Sequence, residues 1–206
     1  MSIVKLNNNG VKNATAFGSI TTSGAMTFIK KLTASSSATL SFVDGTSDVV
    51  LDNTYKEYMF TFNNMHPASD AVNFVFNGSI DSGSNYNVTK TTSFFNAYHF
   101  ENDSSNALTY NASQDLAQST DFQILEDSVG NDNDQSCVGY LHLFNPSSTT
   151  FVKHFIGVTN QQNPAVYSVN NYFAGYFNTT SAIDEIQFKM ASGNIDAGDI
   201  CLYGIL

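Results

Sequence analysis

The densest chemistry in the chain is acidic. Glu126, Asp127, Asp132 and Asp134 fall within the nine residues Glu-Asp-Ser-Val-Gly-Asn-Asp-Asn-Asp, with Gly130 as a flexible joint. Carboxylates and amides at that spacing offer hard oxygen ligands, which suit a weak Ca²⁺ site of the extracellular type. The fixed positions and closing glutamate of an EF-hand are missing. Two readings therefore stand: a solvated acidic loop, or a calcium site on Asp127, Asp132 and Asp134. Calcium is the one cofactor the sequence suggests.

The other reactive side chains are dispersed. His66, His99, His142 and His154 show no HExxH or other ligand spacing. His142 and His154 fall on neighbouring expected strands around Asn145-Pro146, so they read as cross-strand or core-facing histidines, with a transition-metal pair as the alternative. Cys137 and Cys201 stand apart without CxxC or Cys/His spacing and lie in apolar runs, which reads as two buried thiols or a single bridge. A GxSxG elbow and a Gly-rich phosphate loop are both lacking. Arginine and tryptophan are absent and glutamate occurs four times, which weakens any case for an anion clamp or a sugar-cleaving carboxylate pair. The expectation is a protein that is not an enzyme, with no catalytic residues.

Composition limits the partners. The 206 residues fit one generous domain, and eight lysines against eighteen carboxylates give a net charge of −10. That balance argues against nucleic acid, whose phosphates need a basic patch. Apolar runs such as 138–144 are too short to span a bilayer, and residues 1–10 do not read as a signal peptide. Asn-x-Ser/Thr triplets are about as frequent as this composition gives by chance, so no glycosylation is assigned.

The elements that must position these groups repeat with period two. Leu40 and Phe42, then Tyr58, Phe60 and Phe62, then Val72, Phe74 and Phe76 alternate with more polar neighbours. Strands are expected near 25–33, 38–43, 56–64, 71–80, 86–99, 121–125, 137–145, 150–159, 165–177, 183–190 and 199–206. Asp44-Gly45, Asn77-Gly78, Asp81-Ser82-Gly83, Asn145-Pro146 and Ser192-Gly193-Asn194 supply turn chemistry. The fold expected is all-β, a jelly-roll-like antiparallel β-sandwich with an extended N-terminal arm. Residues 107–118 hold at most a turn or two of helix, and 101–135 reads as an excursion from the sandwich.

Two domains of unequal kind follow: an arm over 1–24 and a single β-sandwich over 25–206. The arm is small and polar, with Val11, Phe17 and Ile20 as its apolar anchors, too few to build a core. It reads as a docking or oligomerisation segment, with a first strand of its own sheet as the alternative.

Several segments carry a resemblance: Thr54-Tyr55-Lys56-Glu57-Tyr58, His66-Pro67, Asn145-Pro146-Ser147-Ser148-Thr149-Thr150 and Leu202-Tyr203-Gly204-Ile205. Across about 11–206 the chain resembles virion structural proteins of marine tailed bacteriophages, which carry β-sandwich domains on capsids or tail fibres. The resemblance implies a non-enzymatic virion protein assembled in the host cytoplasm, expected to be a capsid decoration or cement protein. The alternative is a tail-fibre or receptor-binding module recognising host-surface glycans. The implied partners are phage capsid or tail proteins and sister copies in a homo-oligomer such as a trimer, with no nucleic acid and no membrane.

Overall fold

Alternating apolar and polar side chains, interrupted by turn-forming residues, give twelve strands and no helix over residues 25–206, the part of the chain that the computed structural model describes. They are β1 (Met26–Ser37), β2 (Leu40–Val43), β3 (Glu57–Pro67), β4 (Val72–Ser79), β5 (Lys90–Phe100) and β6 (Asn106–Tyr110). The second half adds β7 (Gln123–Val129), β8 (Cys137–Phe144), β9 (Lys153–Asn163), β10 (Tyr167–Phe177), β11 (Glu185–Met190) and β12 (Ile195–Ile205). All pairings are antiparallel, in an eight-stranded sheet ordered β1-β12-β3-β8-β9-β10-β5-β6 and a four-stranded sheet ordered β2-β11-β4-β7.

The winding is that of a jelly roll. Strands pair in nested fashion, β1 with β12, β2 with β11, β3 with β8 and β4 with β7. Folding one long hairpin over on itself yields two facing four-stranded sheets, β1-β12-β3-β8 against β2-β11-β4-β7. Two inserted hairpins, β5–β6 and β9–β10, then widen the first sheet by four strands.

Facing sides of the two sheets bury a phenylalanine-rich core. Phe188 of β11 is fully buried, with ring centroids of Phe60 and Phe62 at 5.2 and 5.3 Å and those of Phe42, Phe74 and Phe76 at 6.1–6.2 Å. Edge-to-face and offset geometries at such distances add to the burial of the rings themselves.

Three expectations are corrected. Residues 101–135 are not an excursion, because β6 extends one sheet and β7 closes the edge of the other. The stretch expected to hold a helical turn instead supplies β6, which pairs with β5 from Asn106 opposite His99 to Tyr110 opposite Phe95. Asn77-Gly78 does not turn the chain but runs within β4. There the buried Asn77 amide donates to Tyr86 O (2.7 Å) and Thr120 O (3.0 Å), holding two loops to the sheet.

The same side chain receives an unusual neighbour. Lys90 is fully buried, its Nζ donating to Asn77 Oδ1 at 2.7 Å and Val88 O at 2.8 Å and lying 5.6 Å from the Phe177 ring centroid. Loss of hydration pulls its ammonium down to about 7, only weakly opposed by Asp121.

Where the widened sheet overhangs the smaller one, its inner side turns polar. β7 is an edge strand, and an edge strand presents unpaired backbone groups. Inward side chains of the large sheet, together with one from β4, satisfy them. Thr159 donates to Leu125 O (2.6 Å), Gln161 to Asp127 O, and Asn73 of β4 accepts from Ser128 N (3.0 Å). Thr92 and Gln123 are joined at 2.7 Å in the same layer.

Candidate interaction surface

The opposite side of the large sheet is outward-facing, and its register defines rows that cross the strands. One row runs without a break through Tyr110, Phe95, Tyr172, Val158, Tyr140, Thr61, Cys201 and Lys31. The next row contains Ser93, Ala174, Ile156, His142, Met59, Tyr203 and Phe28. The third places Thr91 opposite Tyr176, Tyr176 opposite His154, and Phe144 opposite Glu57, continuing to Ile205 and Met26. Eight strands at the usual spacing make this face roughly 34 Å wide.

These rows are mostly aromatic and aliphatic, interrupted by Thr61, Lys31, Ser93, Thr91 and the His142–Glu57 pair, and water reaches much of them. Tyr110, Phe28, Met26 and Ile156 are more than half exposed, as is Leu108 in the row beyond. Phe95 and Tyr172 stack nearly parallel, with centroids 4.9 Å apart and planes at 7°. Phe28 meets Tyr203 edge-on at 5.7 Å, and His142 lies edge-on to Tyr140 at 5.2 Å. A shallow depression between β9, β10 and β5 is bordered by His154, Ile156, Ala174, Tyr176 and Ser93.

Charge on the face is sparse and matched. In the three rows Glu57 is the one carboxylate, and its Oε1 contacts His142 Nδ1. Lys31 reaches sideways to Asp199 at 3.2 Å, and Thr33 donates to the same carboxylate at 2.5 Å, which together hold Asp199 below the usual carboxylate range. A chain with net charge −10 thus keeps a broad area free of unpaired acid. Contiguous exposed apolar surface is a feature that interaction sites present, whereas scattered surface apolar residues need no explanation.

The acidic segment 126–134 does not gather into one group. Glu126 and Asp127 belong to β7, where Asn171 Nδ2 donates to Glu126 Oε1 and lies 3.3 Å from Asp127 Oδ1. Asp132 and Asp134 are exposed on the following loop, which is braced by Gln135 N donating to Asp132 O at 2.9 Å and by His66 Nε2 beside that carbonyl at 3.2 Å. Among the described residues no three His, Cys, Asp or Glu side chains are placed together to hold a metal ion. Burial pushes the Glu126 carboxyl well above the usual range, a position that loop-like spacing did not suggest.

Each remaining candidate also has its place. His142 and His154 share the outer face, but His142 stands opposite Ile156, so the two histidines are diagonal neighbours, and His154 rests beside Tyr176 at 5.9 Å. His99 meets Asp103 at 2.9 Å and His66 meets Asp196 at 3.7 Å. Cys137 and Cys201 are buried and free, so the single bridge is not formed, and burial raises the Cys137 thiol. The expected anchors Val11, Phe17 and Ile20 lie outside the described residues.

No protein-family model, curated protein or solved structure matches the chain.

Proposed function

We propose that this chain is a non-enzymatic structural protein of a bacteriophage virion, a capsid-decorating or cement subunit that docks through the outer face of its eight-stranded sheet. The observation that carries the reading is that face: three rows rich in aromatic and aliphatic side chains, with Glu57 capped by His142, on an otherwise acidic protein. Jelly rolls serve in viral capsids, lectins and cupins alike, so the fold admits this role without selecting it. The occupant is a shell protein presenting an uncharged apolar patch, since the rows offer little to a strongly charged one. The copies act as a homo-oligomer arranged on the particle.

The test is rebinding of the purified protein to particles that lack it. Ile156→Glu and Leu108→Glu place a carboxylate on side chains that are already 51% and 72% exposed. Both variants are expected to melt close to the wild type and to lose rebinding. Retained rebinding in both would refute docking through this face. Electron microscopy of intact particles then separates the two resemblance-based roles. A many-copy array on the head supports decoration, whereas a few copies at the tail support the receptor-binding alternative.

A further inference from the structure

A second feature, independent of the outer face, lies in the polar layer beneath β7. Five buried side-chain atoms among the described residues have no hydrogen-bond partner, and four of them are oxygens in this one layer: Glu126 Oε2, Asn171 Oδ1, Gln161 Oε1 and Gln114 Oε1. Glu126 and Asn171 are fully buried and Gln161 is 2% exposed. Their links converge on two adjacent carboxylates. Asn171 Nδ2 reaches Glu126 Oε1 and Asp127 Oδ1, Gln161 Nε2 reaches Asp127 O, and Gln114 Nε2 lies 3.5 Å from Asp127 Oδ2. Neither carboxylate has a Lys or His salt-bridge partner among the described residues.

Unpartnered buried oxygens are costly, and so is a buried carboxylate beside a second one. No cationic side chain relieves them, and each of the four surplus atoms is an oxygen acceptor. Amide oxygens and carboxylates are the ligands of a hard divalent cation. Turning over the Asn171 amide, which fits the same outline, would bring its oxygen toward Glu126 and Asp127. We propose that Glu126, Asp127, Asn171 and Gln161 form a buried Ca²⁺ site that ties the edge of the small sheet to the overhanging large one. The ligand set keeps Asp127 of the acidic segment, replaces the exposed Asp132 and Asp134, and adds amides that are remote in sequence.

The test is thermal melting of the full chain in excess chelator and then in calcium chloride, with magnesium chloride as comparison. Calcium well above its dissociation constant is expected to raise the melting temperature by several degrees, because only the folded chain assembles the ligands. Magnesium, which demands a tighter octahedron, should do markedly less. Glu126→Gln and Asp127→Asn preserve shape and are each expected to abolish the calcium shift, while Asp132→Ala and Asp134→Ala retain it. If Glu126→Gln does not fold, Asp127→Asn at a partly exposed position carries the same test. No calcium shift in the wild type would overturn the proposal and leave Glu126 as a neutral buried acid. A shift that survives Asp127→Asn, or that disappears in the two loop variants, would overturn it as well.

Discussion

Replacing Lys90 by methionine should change how stability depends on pH, and by a calculable amount. The native environment holds Lys90 at about 7, against 10.5 for an exposed lysine. Above neutrality the folded chain therefore binds fewer protons at this site than the unfolded chain, and stability must rise with pH. Integrating between about pH 7 and about pH 9 gives the wild type a gain of about 2 kcal/mol from this group alone. Lys90→Met keeps the aliphatic stem; Asn77 Oδ1 still accepts from Gly78 N at 2.8 Å, while Val88 O loses its donor, a cost that does not change with pH. Urea unfolding of both proteins at the two pH values supplies the comparison. Cys137, whose thiol is raised by burial in the folded chain and so acts in the opposite direction, contributes equally to both and cancels. The wild type should gain about 2 kcal/mol on the variant between the two conditions. An unchanged difference between the two proteins would refute the buried-lysine reasoning.

Phe188→Ala should cost about 3–5 kcal/mol in the same assay, because five rings would line the resulting cavity; a cost below about 1 kcal/mol would mean that the sheets close over it. Gly157→Ala should destabilise by about 1–3 kcal/mol, since its Cβ would sit 2.2 Å from Phe173 Cζ and 2.7 Å from the Tyr140 carbonyl oxygen; an unaltered urea midpoint would contradict that packing. Cys137 should resist a thiol reagent in the native protein and react on unfolding, and prompt native labelling would contradict its burial. Far-UV circular dichroism should show a single weak minimum at roughly 215–218 nm, whereas a helical double minimum would contradict the fold.

Strand existence was largely legible because each core-lining run alternates cleanly, as in Tyr58, Phe60 and Phe62. β6 carries no strand signal in the sequence because four of its five residues are exposed, so no buried face imposes a period. β7 was expected over 121–125 and runs over 123–129, since its buried Glu126 reads as loop and the bulges against β4 at Val72–Val75 disturb the alternation. The outer face was illegible for a different reason. In β8 the outward Val138, Tyr140, His142 and Phe144 are as apolar as the inward Cys137, Leu141 and Leu143, so neither side declares itself. Only the pairing register assembles such residues into rows across eight strands. The same holds for Asn171 and Gln161, which meet Glu126 through the pairing of two sheets and share no local motif with it.

The nested pairing also dictates when the molecule can close. β12 lies between β1 and β3, so the first-made and last-made strands of the described chain are neighbours. During synthesis β1 and the flank of β3 wait with open edges until residues 195–205 have cleared the ribosome. The inserted hairpins, by contrast, are local and can zip as soon as they emerge. Closure of the large sheet thus waits for insertion of β12 into a prepared slot. A chain stopped a dozen residues early would present two unpaired edges at once, the condition under which β proteins aggregate.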